Sequence, residues 1–176
     1  MKKIIISSIL ASMLTVSTAS AFDDQREGFL VSIGAGANLV NTADNFHSET
    51  SLGLSTAFKI GYGVNNQFLL YYTNDVAWYG LDINNDTWIT GGSAIGASYY
   101  IEENSPYYVI GSLGIGVFSN FTSGVSADSG LTFALGGGYE YSPHIMLETT
   151  WQHTSIDDYD DFSTNVFKFT INYMWY

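Results

Sequence analysis

The chain contains no cysteine. A disulfide framework, a thiolate-bound zinc and a thiol nucleophile are therefore excluded. Proline is nearly absent, with two residues in the whole chain, which rules out a proline-rich linker. Basic residues are scarce: five Lys and Arg stand against 17 Asp and Glu, a formal net charge of −12. A nucleic-acid binder needs Lys and Arg to neutralise phosphates, so that class is excluded. Charged residues make up only 12% of the chain, where a soluble domain carries roughly 25%. Aromatics, by contrast, reach 16%, with 13 Tyr and 11 Phe, and there are 18 Gly. Intrinsic disorder goes with few aromatics, so the chain folds. Its 176 residues suit one domain.

The first 21 residues read as an address. Lys2 and Lys3 form a positive start, Ile4 to Val16 a mostly apolar stretch, and Ala19-Ser20-Ala21 a small-x-small cleavage site. This is the pattern of a secretory signal peptide that is cleaved. The apolar stretch falls short of the ~20 residues of a spanning helix. Cleavage leaves residues 22–176 as the expected barrel domain, with three basic residues against 17 acidic ones.

From Gly28 onward the apolar period is two, the period of a strand. Phe29, Val31, Ile33, Ala35, Ala37 and Leu39 alternate with Leu30, Ser32, Gly34, Gly36 and Asn38. Phe167, Phe169, Ile171, Tyr173 and Trp175 alternate with Lys168, Thr170, Asn172 and Met174. Strands are expected at 28–40, 52–63, 67–79, 88–101, 107–118, 130–141, 145–155 and 164–175. The fourth, with three glycines, has no clean face. Short turns (Val64-Asn65-Asn66, Glu102 to Pro106, Ser142-Pro143-His144) alternate with long polar connections (Asn41 to Ser51, Gly80 to Asp86, Ser119 to Ser129, Ile156 to Ser163).

The smaller face of these strands is Gly, Ser, Ala, Thr and Asn. It carries too little charge to face water but suits the inside of a narrow closed barrel. The large face then meets lipid, and closure satisfies the edge N–H and C=O groups that hydrocarbon cannot. The fold expected is all-β: an eight-stranded antiparallel up-and-down transmembrane β-barrel after a cleaved signal peptide, in the outer membrane of a Gram-negative bacterium. Phe29, Phe58, Ile60, Phe133, Leu147, Phe169 and Ile171 are expected to point outward.

The alternating aromatics ending in Asn172-Tyr173-Met174-Trp175-Tyr176 are similar to the assembly signal that closes outer-membrane proteins. Tyr173 and Trp175 keep its spacing, and Tyr176 is an extra residue. With the leader, the eight runs and the turn around Ser105-Pro106-Tyr107, the chain resembles the small barrel family of OmpX, Ail and the OmpA membrane domain. The resemblance implies a membrane barrel whose members serve in surface adhesion, resistance or membrane stability. It also implies contact with outer-membrane lipid and lipopolysaccharide, and with the barrel-assembly machinery through the last strand. A monomer is expected, with no cofactor and a possible extracellular ligand.

Candidate chemistry is sparse. Charges on the inward parity are Lys59, Glu140, Glu148 and Lys168. Register arithmetic across the last two hairpins places Glu140, Glu148 and Lys168 within one diagonal step of each other, near enough for contact. Buried ions must be paired, so these three are expected to form a cluster that Lys59 reaches from across, blocking a continuous channel. The long loops gather nine acids with no Lys or Arg; Asp157, Asp158, Asp160 and Asp161 are the densest group. Such a rim suits a solvated face, and carboxylates also suit Ca²⁺, although the spacing is not that of an EF-hand. His47, His144 and His153 are scattered, with no zinc-ligand spacing. Gly136-Gly137-Gly138 lies mid-strand and gives space inside. No G-x-S-x-G elbow occurs.

One pair invites a catalytic reading. His153 and Ser155 share the lipid-facing parity with Trp151, and a His-x-Ser on such a barrel resembles the site of lipid A deacylases, where the His is base for the Ser. Ile156 stands where that motif continues with Asn; on the neighbouring strand the outward positions are Asn165 and Phe167, and the acid Asp161 would lie up in the loop. A His next to Trp151 at the girdle is more simply an interfacial residue. The expectation is a non-enzymatic barrel, with a lipid A deacylase-like hydrolase and a narrow OmpW-like pore as the alternatives.

Overall fold

The computed structural model describes residues 26–43, 48–81, 86–122, 127–156 and 162–176. Residues 1–21 and the acids Asp157, Asp158, Asp160 and Asp161 lie outside the described residues. The strands are β1 (Gly28–Ala43), β2 (Ser48–Asn65), β3 (Phe68–Leu81), β4 (Asp86–Tyr100), β5 (Tyr107–Asn120), β6 (Asp128–Ser142), β7 (Ile145–Ile156) and β8 (Ser163–Trp175). Each pairs antiparallel with its neighbours in sequence, and β1 closes on β8.

The register gives the shear. Across hydrogen-bonded partners, Leu30 leads through Gly61, Tyr71, Gly96, Ser112, Ala134, Gln152 and Val166 to Val40. One circuit therefore climbs β1 from residue 30 to residue 40, which tilts the strands by roughly 35–45°, the range of closed barrels. All eight strands have the positions read from the sequence, and most run a few residues further at the end of the long loops.

The short turns are locally encoded. Asn65 Oδ1 accepts from the backbone N–H of Gln67 (2.9 Å) and Phe68 (2.8 Å), an Asx turn between β2 and β3. The Ser105 N–H donates to Glu102 O (3.0 Å) in the β4–β5 turn. Bulges at Gly63/Asn65 and Glu140/Ser142 sit beside the first and third turns. They absorb the extra residue each tight connection needs.

Phe29, Phe58, Ile60, Phe169 and Ile171 are exposed, and Phe133 and Leu147 share their outward parity. The exterior is a belt of bare apolar side chains, with Leu52 74% and Ile115 65% exposed. Water does not tolerate a continuous apolar belt of this kind on a monomer; hydrocarbon covers it. The ring near the short turns includes Phe29, Tyr62, Phe68, Tyr99, Tyr107, Tyr139, Tyr141, Tyr173 and Trp175, the residues of an interfacial girdle.

The interior is bulkier than its small-residue face implied. Leu30, Leu69, Tyr71, Tyr100, Tyr108, Ile110, Met146 and Met174 fill the end near the short turns, and Val40, Ala77, Tyr79 and Val166 the other end. Glycines make the room. A Cβ at Gly138 would strike the Tyr108 ring, and one at Gly96 the Tyr71 ring. The fourth strand, ambiguous in sequence, turns its even residues Thr90, Gly92, Ala94, Gly96, Ser98 and Tyr100 inward.

Candidate functional site

All three cations beyond residue 21 lie inside the barrel, and each meets a carboxylate. At the short-turn end, Arg26 precedes β1 and tucks beneath the barrel with 1% of its surface exposed. Gly28, at φ 117°, makes the left-handed bend that takes the chain from there into β1, a conformation L side chains rarely adopt. The Arg26 guanidinium donates to Glu140 Oε2 through Nε (2.9 Å), to Asn66 O (3.0 Å), to Glu103 O (2.8 Å) and to Ser105 O (3.0 Å). It also lies 3.6 Å from the centroid of the Tyr100 ring. One side chain thus ties two short turns to β6 beside the third. Tyr176 turns inward next to it, its hydroxyl 3.4 Å from that of Tyr100.

Halfway up, Lys59 Nζ meets both oxygens of Glu148 at 2.5 and 2.7 Å, and Tyr108 OH donates to Glu148 Oε1 at 2.9 Å. Lys168 Nζ meets Asp75 Oδ2 at 3.2 Å and donates to Gln152 Oε1 at 2.8 Å. Gln152 Nε2 donates to Thr132 Oγ1 at 3.0 Å; Thr132 Oγ1 donates to His153 O at 3.0 Å and lies 2.9 Å from Thr154 Oγ1. A cavity of about 20 Å³ between the two ion pairs, lined by Lys59, Asp75, Glu148 and Lys168, has room for about one water.

The four charges expected inside are inside, but their partners differ from the cluster inferred from register. Glu140 is taken by Arg26, Glu148 by Lys59, and Lys168 by Asp75. The register itself agrees: Glu148 stands opposite Gly138 and Thr170. The inference failed because it omitted two groups. Arg26 lies before the first alternating residue, and Asp75 lies on a strand whose inward face also carries Tyr71 and Tyr79. Both are recoverable by one rule: in a chain this poor in bases, each cation near the barrel needs an acid of inward parity.

Outside, His153 and Ser155 stand on the outward face of β7. His153 Nδ1 lies 3.0 Å from Asn165 Oδ1, and its ring packs against Phe133, centroids 5.5 Å apart. The group orienting the imidazole is therefore an amide. Among the described residues no three His, Asp or Glu side chains gather as metal ligands.

A closed barrel of this shear, apolar outside and charge-paired inside, is a transmembrane β-barrel of the small outer-membrane type. Solved structures agree. Ail, the attachment invasion locus protein of Yersinia pestis, superposes with a TM-score of 0.63 at 16% identity, over 85% of this chain and 99% of that one. Neisserial surface protein A gives 0.57 at 17%, over 83% and 96%. OprG of Pseudomonas aeruginosa gives 0.51 at 13%, over 86% and 97%. At these identities the likeness is one of fold. No protein-family model matches the chain, and no curated protein sequence matches it.

Proposed function

We propose that this chain works through its outer loops, as a non-enzymatic outer-membrane protein of surface interaction or envelope stability. Residues 1–21 serve export and are cleaved, and the aromatic end of β8 is what the barrel-assembly machinery engages. One observation carries the reading of the loops. The three cations beyond residue 21 are sealed inside and matched by Glu140, Glu148 and Asp75, so every charge left for the surface is acidic. The long loops carry nine acids, among them Asp157, Asp158, Asp160 and Asp161, and no Lys or Arg.

Such a rim attracts divalent cations, which it shares with lipopolysaccharide phosphates, or a basic extracellular ligand. It repels anions. Ail has been crystallised with the heparin analogue sucrose octasulfate; the loops here have no Lys or Arg to receive sulfates, so the ligand inferred is of opposite charge. Vesicles carrying the protein are expected to bind polylysine and not heparin, with binding that weakens as salt rises. Replacing Asp157, Asp158, Asp160 and Asp161 by Asn is expected to reduce that binding several-fold. Saturable heparin binding would sink the reading. The hydrolase alternative is disfavoured because, among the described residues, His153 leans on Asn165 and not on an acid; mass spectrometry of lipid A is expected to show its acyl chains unchanged by expression of the protein.

A further inference from the structure

A groove interrupts the lipid-facing belt where β1 meets β8. It has a volume of about 390 Å³, with Ile33 and Ala35 of β1, Ile171 and Tyr173 of β8 and Ile145 of β7 around it. The register explains its shape. Ala35 stands opposite Ile171, and Tyr173 stands between Ile33 and Ile145. A lone methyl at position 35 leaves the floor low between branched and aromatic neighbours. The volume lies within the roughly 300–1,000 Å³ of ligand clefts. The lower end is at Tyr173, in the short-turn girdle, and at Ile145, the first residue of β7. The upper end, Ala35, lies six residues beyond Phe29 of the same girdle. At ~3.3 Å per residue and a tilt of roughly 35–45°, that is about 15 Å along the barrel axis, half of the ~30 Å hydrocarbon core. The short turns of such barrels face the periplasm. The groove is therefore as long as one leaflet is deep, and the leaflet is the periplasmic one.

Polar groups gather at its lower end. The His144 ring packs against Tyr173, centroids 5.6 Å apart, and Tyr173 against Trp175 at 4.5 Å. His144 Nδ1 lies 2.9 Å from Met174 O. A carbonyl only accepts, so Nδ1 carries the hydrogen, and Nε2 of the neutral ring is left as an acceptor. The Trp175 indole N–H and the Tyr173 hydroxyl are donors. The same end of the barrel exposes Glu27, Glu102 and Glu103, while Arg26 is buried against Glu140. Such an end attracts an ammonium and repels a headgroup of net negative charge.

We propose that the β1–β8 groove binds one phospholipid of the periplasmic leaflet whose headgroup carries a primary ammonium. One acyl chain lies over Ala35, between Ile33 and Ile171. The ammonium donates to His144 Nε2, and the phosphate accepts from Trp175 Nε1. The bilayer itself supplies the occupant, since this wall of the barrel stands in hydrocarbon. The site is independent of the outer loops and of what they bind; it rests on the barrel standing in a bilayer.

The test folds the purified chain into vesicles of equal parts phosphatidylethanolamine and phosphatidylglycerol. Insertion is scored first by the gel shift of folded barrels, and only inserted protein is counted. Native mass spectrometry after transfer to mild detergent then reads the lipid that stays bound. One phosphatidylethanolamine per barrel is expected, preferred about tenfold over phosphatidylglycerol, the size of one charge-assisted hydrogen bond. Ala35→Phe fills the groove and should reduce retained lipid about tenfold, equivalent to roughly two buried methylenes. Ala97→Phe, outward on β4 and away from the groove, should leave retention unchanged. His144→Phe keeps a ring against Tyr173 and should retain lipid while losing the headgroup preference; a merely structural role for His144 would leave that preference intact. Inserted barrels that retain no lipid, retention unaffected by Ala35→Phe, or retention with no headgroup preference would each overturn the proposal. A chain that never inserts would remove the membrane reading beneath it, and the proposal with it.

Discussion

Arg26→Ala is expected to lower the unfolding free energy by about 3–5 kcal/mol, the range for removing one partner of a buried ion pair. The magnitude is large because the side chain does several jobs at once. It neutralises Glu140 and satisfies three turn carbonyls. It also caps Tyr100, a cation–π contact worth about 2 kcal/mol when desolvated; these contributions overlap and do not add. Arg26→Lys should recover only part, since an ammonium has no planar fork to span Glu140 and the two turns. Urea unfolding in vesicles, followed by tryptophan fluorescence, reads the change. A loss below about 1 kcal/mol would place Arg26 among ordinary surface ions and remove it as the tie between turns.

Breaking the central pair should cost as much. Glu148→Met leaves the Lys59 ammonium inside the barrel with the Tyr71 ring 5.1 Å away and, among the described residues, no carboxylate within ion-pair distance. It also strips Tyr108 of its acceptor. A loss of about 3–5 kcal/mol is expected for Glu148→Met, and a similar loss for Lys59→Met. The double substitution should regain most of it, because two apolar chains of like volume carry no orphaned ion. A double variant as unstable as the sum of the two singles would show that each charge is held by other groups, and the pair would not be the unit.

The strands were legible because one rule, large outside and small inside, holds along β1, β2, β6 and β8. The turns were legible because Asn65 and Pro143 mark them. The rule blurs on β3, where Tyr71 faces in and Tyr72 faces out, and on β4, where both faces mix small residues with large ones: Gly96 and Tyr100 inside, Gly91 and Ile95 outside. Inner volume is balanced across strands and not within one: Tyr108 lies over Gly138 of its neighbour, and Tyr71 over Gly96. A single strand cannot reveal that compensation. The inward charges of β2, β6, β7 and β8 followed from parity alone. Their partners did not, because pairing depends on reach across the lumen and on Arg26, which enters from below the sheet.

The placement of the cations also decides how the folded protein meets proteases. An enzyme that cuts after Lys or Arg has three target bonds beyond residue 21. Arg26, Lys59 and Lys168 expose 1%, 4% and 4% of their surface, and the long loops contain none. Trypsin added to intact cells therefore finds no site on the outer loops, whatever their motion, while the same loops remain open to an enzyme that cuts beside aspartate. Trypsin resistance of this barrel reports the folded lumen alone, and digestion at these three positions marks the chain that has not yet closed.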